Sequence, residues 1–233
     1  MNNIIPKTIN YCWFGNNEKP LIVKKCIESW KKYCPDYKII EWNEKNFDIN
    51  INNYVKEAYR QKKYAFVSDF ARLWIIYENG GIYLDTDVEL IRNIDDILEN
   101  KTFFATEDNI YVNTGLGFGS QKNSKILKKL IDDYSDINFI GENGKMDKTT
   151  CPVRNTKVIE KYINTKVDFD KKTVINDICF YSKEFFCPLD YETKKMEITN
   201  NTFAIHWFSG TWMNKKEKML KQIKLILKNI IKK

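Results

Sequence analysis

The stretch Gly80-Gly81-Ile82-Tyr83-Leu84-Asp85-Thr86-Asp87 narrows what this chain can fold into more than any other. Two glycines end whatever precedes them, an apolar run follows, and the run stops on two carboxylates. Such a run reads as a short buried strand, and in an extended chain residues two apart point to the same side. Ionised carboxylates at the end of a buried strand are costly without a partner. A divalent cation carrying a diphosphate suits them, because Mg²⁺ and Mn²⁺ prefer hard oxygen ligands. The plainer alternative is a strand end running into a solvated acidic turn, with Asp87, Glu89, Asp95 and Asp96 as its charges.

The surrounding pattern alternates strand and helix. Strands are expected over 7–13, 37–42, 103–106, 112–118 and 203–207, besides the one that ends at Asp85. Helices are expected over 21–33, 53–59, 65–78, 124–134 and 157–163. This order implies an α/β sandwich around a mainly parallel sheet, in which ligands sit at the carboxyl ends of the strands. At 233 residues, with 43% hydrophobic and 14% aromatic residues and no internal repeat or linker, the chain fits one globular domain over 1–212. No apolar run approaches the ~20 residues that span a bilayer. The first residues lack the basic start and apolar core of a signal peptide, so a cytoplasmic protein is expected. Six cysteines without a Cys-x-x-Cys pair, beside a single histidine, read as reduced thiols and not as a zinc site.

The net charge of +7 is concentrated at the C-terminus. Eight lysines fall between Lys215 and Lys233 against one acid, Glu217, interleaved with apolar residues at helical spacing. A basic amphipathic helix over 213–233 suits either peripheral contact with an anionic membrane at its inner face or packing on the domain. No nucleic-acid partner is expected.

Three more groups of residues carry possible chemistry. Asp69 and Arg72 are three apart and share a helix face. They suit sugar hydroxyls, with a carboxylate that accepts and a guanidinium that donates, or else an ordinary intrahelical ion pair. Trp13 ends the first strand, where an indole stacks on a nucleotide base or fills the core. His206 follows the last strand and precedes a turn that runs through Thr211 and Trp212. A lone histidine there is a hydrogen-bonded core residue or a further metal or diphosphate contact.

Ile5-Pro6-Lys7 with Trp13-Phe14-Gly15, Ser68-Asp69 with Arg72, the block from Gly80 to Asp87, and His206 with Trp212 occur in an order that resembles a known family. It is the glycosyltransferase family with the Asp-x-Asp sugar-binding region. That family includes capsular-polysaccharide transferases and mannosyltransferase relatives, with the large glucosylating toxins as distant kin. The match is weakest between about 120 and 200, and the chain departs from it at Asn10, where the family usually has histidine.

The resemblance implies a GT-A, Rossmann-like fold and a metal-dependent retaining hexosyltransferase. The donor would be a nucleotide sugar, with UDP preferred, and the acceptor a glycan or lipid-linked oligosaccharide of surface-polysaccharide synthesis. By the same resemblance Trp13 stacks on the base, and Asp69 and Arg72 hold the sugar. Asp85, beside Tyr83, faces ribose and sugar and reaches Mn²⁺ or Mg²⁺ mainly through water. Asp87 is the direct metal ligand, and His206, Thr211 and Trp212 complete the metal and diphosphate site. Glu107, Asp108 and Asn113 are candidates to approach the reacting carbon or the acceptor, or are loop residues. Two rival readings remain. One is a haloacid-dehalogenase-type phosphatase with Asp85 as nucleophile; the other is a non-catalytic nucleotide-sugar-binding protein.

Overall fold

The computed structural model describes residues 4–108, 110–211 and Met219. Trp212 and all of the expected C-terminal helix but Met219 lie outside the described residues.

The chain opens with β1 (Thr8–Cys12), α1 (Leu21–Tyr33) and β2 (Lys38–Trp42), and continues through α2 (Asn53–Arg60) and α3 (Tyr64–Asn79) to β3 (Gly81–Tyr83). After these come β4 (Val88–Leu90), β5 (Thr102–Ala105), β6 (Phe118–Ser120), α4 (Lys125–Asp132) and α5 (Cys151–Ile163). The hairpin β7 (Thr173–Ile175) and β8 (Ile178–Tyr181), the short α6 (Lys183–Phe186) and β9 (Ala204–His206) complete it. Seven strands form one sheet in the order β2-β1-β3-β6-β5-β8-β7. β1 is parallel to both β2 and β3, and β5 is parallel to β8. β6 is antiparallel to both β3 and β5, and β7 is antiparallel to β8. Five strands therefore run one way and only β6 and β7 run against them, so the sheet is mainly parallel as expected.

Successive residues of each strand face opposite layers. Ile82 and Phe103 join one core with Trp30 of α1, whereas Tyr83 and Phe104 join the other with Phe70 and Leu73 of α3. The double glycine makes the junction between α3 and β3. Gly80 (φ +70°) accepts the left-handed turn, and its N–H still bonds to Ile76 O. A Cβ on Gly81 (φ +102°) would stand 2.8 Å from Thr8 O on the neighbouring strand. All six cysteines are free and buried. No helix among the described residues is long and apolar enough to cross a membrane.

Three expectations need correction. Of the strand expected over 112–118, Val112 makes only an isolated bridge to Thr106 and the chain then turns before Phe118, because Asn113 Oδ1 accepts the N–H groups of Gly115 and Leu116 and bends the backbone. The helix expected from Lys157 begins at Cys151, with Pro152 in its first turn, where a missing N–H costs nothing. The hairpin β7–β8 was not expected; Asn176 (φ +50°) and Asp177 (φ +65°) form a two-residue turn of the mirror-image kind that hairpins favour.

Candidate active site

The carboxyl ends of β1 and β3 open into a cleft of about 680 Å³. Its walls include Trp13, Asp69, Arg72, Tyr83, Asp85, Asp87, His206 and Thr211, which is every described residue singled out above for the donor and metal, with Glu107 and Asn113 beside them. Asp108 does not line it; its carboxylate instead accepts the N–H groups of Ile110 and Tyr111.

The two aspartates do not project from an extended strand. β3 ends at Tyr83, and Val88 N–H bonds to Asp85 O, so the chain turns between them. The alternation rule therefore does not apply, and each carboxylate meets different neighbours.

Asp85 faces α3. Its Oδ1 accepts from Tyr83 Oη at 3.0 Å and lies 3.5 Å from Arg72 Nη2. The same Nη2 is 2.9 Å from Asp69 Oδ1, and Arg72 Nε donates to Ser68 O. The guanidinium also lies 5.0 Å from the centroid of the Tyr83 ring. With its side chain only 4% exposed, Arg72 is a buried cation spent on protein partners. Burial raises the Asp69 carboxyl above its ordinary value, and the Arg72 guanidinium pulls it back. The backbone completes this side. Asp85 N–H bonds to Gly115 O, and a methyl group at Gly115 would collide with the Asp85 carboxylate.

Asp87 faces the end of the chain. β4 pairs with β9 so that Val88 lies opposite His206, and Trp207 N–H bonds to Asp87 O. His206 Nε2 comes within 3.4 Å of Asp87 Oδ1, while Ser209 donates its backbone N–H (2.8 Å) and its hydroxyl (2.9 Å) to Oδ2. Burial alone would raise the Asp87 carboxyl, but His206 and Ser209 outweigh it and hold it at about 2. Burial likewise works against a charge on His206, yet Asp87, together with Cys187, raises the imidazole well above its ordinary value. His206 Nδ1 is buried without a hydrogen-bond partner, 3.6 Å from Glu107 Oε2. Glu107 in turn accepts from Asn113 Nδ2 at 2.6 Å.

Trp13, also in the cleft wall, is half-buried, with its Nε1 donating to Asn17 O and Lys19 Nζ 5.7 Å from its ring centroid. Asn10 serves the fold. Fully buried, it donates to Ile82 O and accepts from Trp42 Nε1.

Among the described residues, no group of three His, Cys, Asp or Glu side chains is arranged to hold a metal ion unaided. The cleft does offer hard carboxylate oxygens at Asp85 and Asp87, with the imidazole of His206 against the latter. That donor set suits Mg²⁺ or Mn²⁺ when substrate phosphate and water supply the remaining ligands. Ser209, which holds Asp87 twice, was not singled out from the sequence. Its only prior signal is its place three residues after His206 in the same turn.

The profile of glycosyltransferase sugar-binding regions containing a DXD motif matches residues 20–104. Over 220 residues the chain is 25% identical to an uncharacterized glycosyltransferase of Acanthamoeba polyphaga mimivirus, a match covering 90% of this chain and 84% of that protein. It is 30% identical over 114 residues to the initiation-specific alpha-1,6-mannosyltransferase of Candida albicans, covering 45% of this chain and 30% of the mannosyltransferase. A glycosyltransferase involved in the glycosylation of the major capsid of PBCV-1 has a crystal structure that superimposes with a TM-score of 0.52. That match spans 92% of this chain and 99% of the other at 13% identity, a likeness of fold. The resemblance read from the sequence is borne out. The chain carries the DXD sugar-binding region in a GT-A fold, and its sequence relatives support glycosyltransferase activity.

Proposed function

We propose that the protein is a metal-dependent, retaining hexosyltransferase that uses a nucleotide sugar, with UDP the preferred nucleotide. The acceptor is a glycan or lipid-linked oligosaccharide of surface-polysaccharide synthesis. The observation that carries the reading is one cleft lined by an indole, by the Asp69–Arg72–Asp85 cluster around a buried guanidinium, and by Asp87 with His206.

In this reading the free face of Trp13 stacks on the base. Asp69 and Asp85 accept hydrogen bonds from ribose and sugar hydroxyls, and Arg72 holds both carboxylates in place. That is a smaller role than the direct sugar contact the family resemblance implies for Arg72, and it follows from the burial of the guanidinium. Asp87 is the direct metal ligand, with Asp85 and His206 next to it, and Thr211 stands at the diphosphate end. Bound Mn²⁺ or Mg²⁺ supplies a Lewis acid for the charge that develops on the departing diphosphate. Tyr83 and Ser209 keep the two carboxylates aimed into the cleft, so little reorganisation is needed as that charge grows. Retention follows the family. With no carboxylate nucleophile assigned, the acceptor hydroxyl attacks from the face the diphosphate leaves.

A hydrolysis screen over a panel of UDP- and GDP-sugars, with and without Mn²⁺, tests the proposal. At least one donor should be cleaved in a metal-dependent way, and Asp87→Ala should lower the rate about 10²–10³-fold. Failure to bind or cleave any donor in the presence of metal would refute it.

A further inference from the structure

Beyond Glu107 and Asn113 the cleft wall continues outward along α5. Thr150, Cys151 and Pro152 line the cleft itself. Further along the same helix, Val153, Thr156, Lys157, Lys161 and Asn164 line a second, shallow groove of about 580 Å³, with Tyr111 on its opposite side. The loop that carries Glu107 and Asn113 into the cleft also carries Tyr111 into the groove. Val112 N–H donates to Thr156 Oγ1, tying that loop to α5. Asp108 accepts from Ile110 and Tyr111 N–H and braces the loop with Ile110 61% exposed. Both the 107–113 loop and α5 thus contribute to the cleft and to the groove.

The charge of the groove is one-sided. Glu160 is matched by Lys166 at 2.7 Å. Lys157 and Lys161 are exposed and make no ion pair among the described residues. They are four apart on one helix, so they repel each other, and folding gains nothing from the arrangement. An anion lying along the groove would offset that repulsion. The rest of the lining mixes the Tyr111 ring and the exposed Val153 with the hydroxyl of Thr165 and the amide of Asn164, a surface on which the apolar face of a sugar packs while its hydroxyls find polar partners.

We infer that this groove is the acceptor track of the enzyme and that it takes an acidic glycan, one whose sugars carry carboxylates that lie against Lys157 and Lys161. The inference rests on the transferase reading. α5 runs about 20 Å at 1.5 Å per residue, so such a chain would lead from the basic end of the helix to the edge of the cleft at Thr150 and Pro152.

The test uses the full chain, wild type and Lys157→Glu/Lys161→Glu, with oligogalacturonate and its uncharged methyl ester as probes in a calorimetric binding assay. Oligogalacturonate should bind the wild type, and the double charge reversal should weaken it about tenfold or more. The methyl ester should bind weaker by a similar factor, and salt should weaken the acid form alone. Metal-dependent donor hydrolysis by the variant should be unchanged, since neither lysine lines the cleft. Lys157→Gln/Lys161→Gln serves if the reversal impairs folding, and it should show a smaller loss in the same direction. Equal binding of acid and ester, no binding of the acid, or binding indifferent to both variants overturns the inference. So does lysine-dependent capture of phosphatidylglycerol vesicles in place of the oligomer. Absence of donor hydrolysis in the wild type would instead strike the transferase reading.

Discussion

Asp85 and Asp87 are separated by one residue, yet one is held from nearby and the other from far along the chain. Asp85 leans on Arg72 and Tyr83, both within the continuous segment of α3 and β3. Asp87 is held by His206 and by Ser209, the latter 122 residues away. The first arrangement is a buried ion cluster, rigid because its cation has no competing solvent. The second is a set of hydrogen bonds across the two-stranded β4–β9 sheet, and it buries Asp87 (13% exposed) more deeply than the cluster buries Asp85 (33%). A motif that looks symmetrical in sequence thus splits into a side built on α3 and a side held by β9, which the proposed function reads as the sugar side and the metal side.

The contrast can be broken at its strongest point first. Arg72→Met removes the buried cation and leaves Asp69 and Asp85 unpaired, which should destabilise the fold by about 3–5 kcal/mol. Chemical denaturation with and without the substitution measures this, and a loss below about 1 kcal/mol would mean that solvent reaches the cluster. Paired hydroxyl deletions sharpen the comparison further. Tyr83→Phe takes from Asp85 a hydrogen bond to a charged group and should cost about 1–2 kcal/mol. Ser209→Ala leaves the backbone N–H on Asp87 and should cost less, about 0.5–1 kcal/mol. Equal losses in thermal unfolding would show that the two carboxylates are held alike.

The same division explains what could be read from the sequence. α1 falls on its expected bounds and α3 lies within one residue of them, because their apolar spacing and the glycines after α3 are local signals. Asp69 and Arg72 were legible as a pair for the same reason, since helical spacing places them together. The contact of Asp87 with Ser209 depends on the pairing of β4 with β9, and three-residue strands leave almost no periodic trace. The turn after Asp85 was missed because an apolar run ending in Asp-x-Asp suggests continued extension, whereas the Asp85–Val88 hydrogen bond closes it. Between 112 and 118 the Asn113 side chain overrode a composition that suits a strand. The place of His206 after a late strand left it a core residue or a site contact, and the family resemblance favoured the site. The lysines of α5 were visible in the sequence, but only the fold places Lys157 and Lys161 on a groove formed by the same helix and loop that border the cleft.

The central claim is that the two aspartates have different duties, with Asp87 on the metal and Asp85 on the sugar side. Electron paramagnetic resonance of Mn²⁺ titrated into the protein with UDP present separates them, using Asp87→Asn and Asp85→Asn. The account predicts that Asp87→Asn weakens Mn²⁺ binding at least about tenfold, while Asp85→Asn, whose carboxylate reaches the metal through water, changes it by less than about threefold. Equal losses in the two variants, or Mn²⁺ binding untouched by Asp87→Asn, would contradict it.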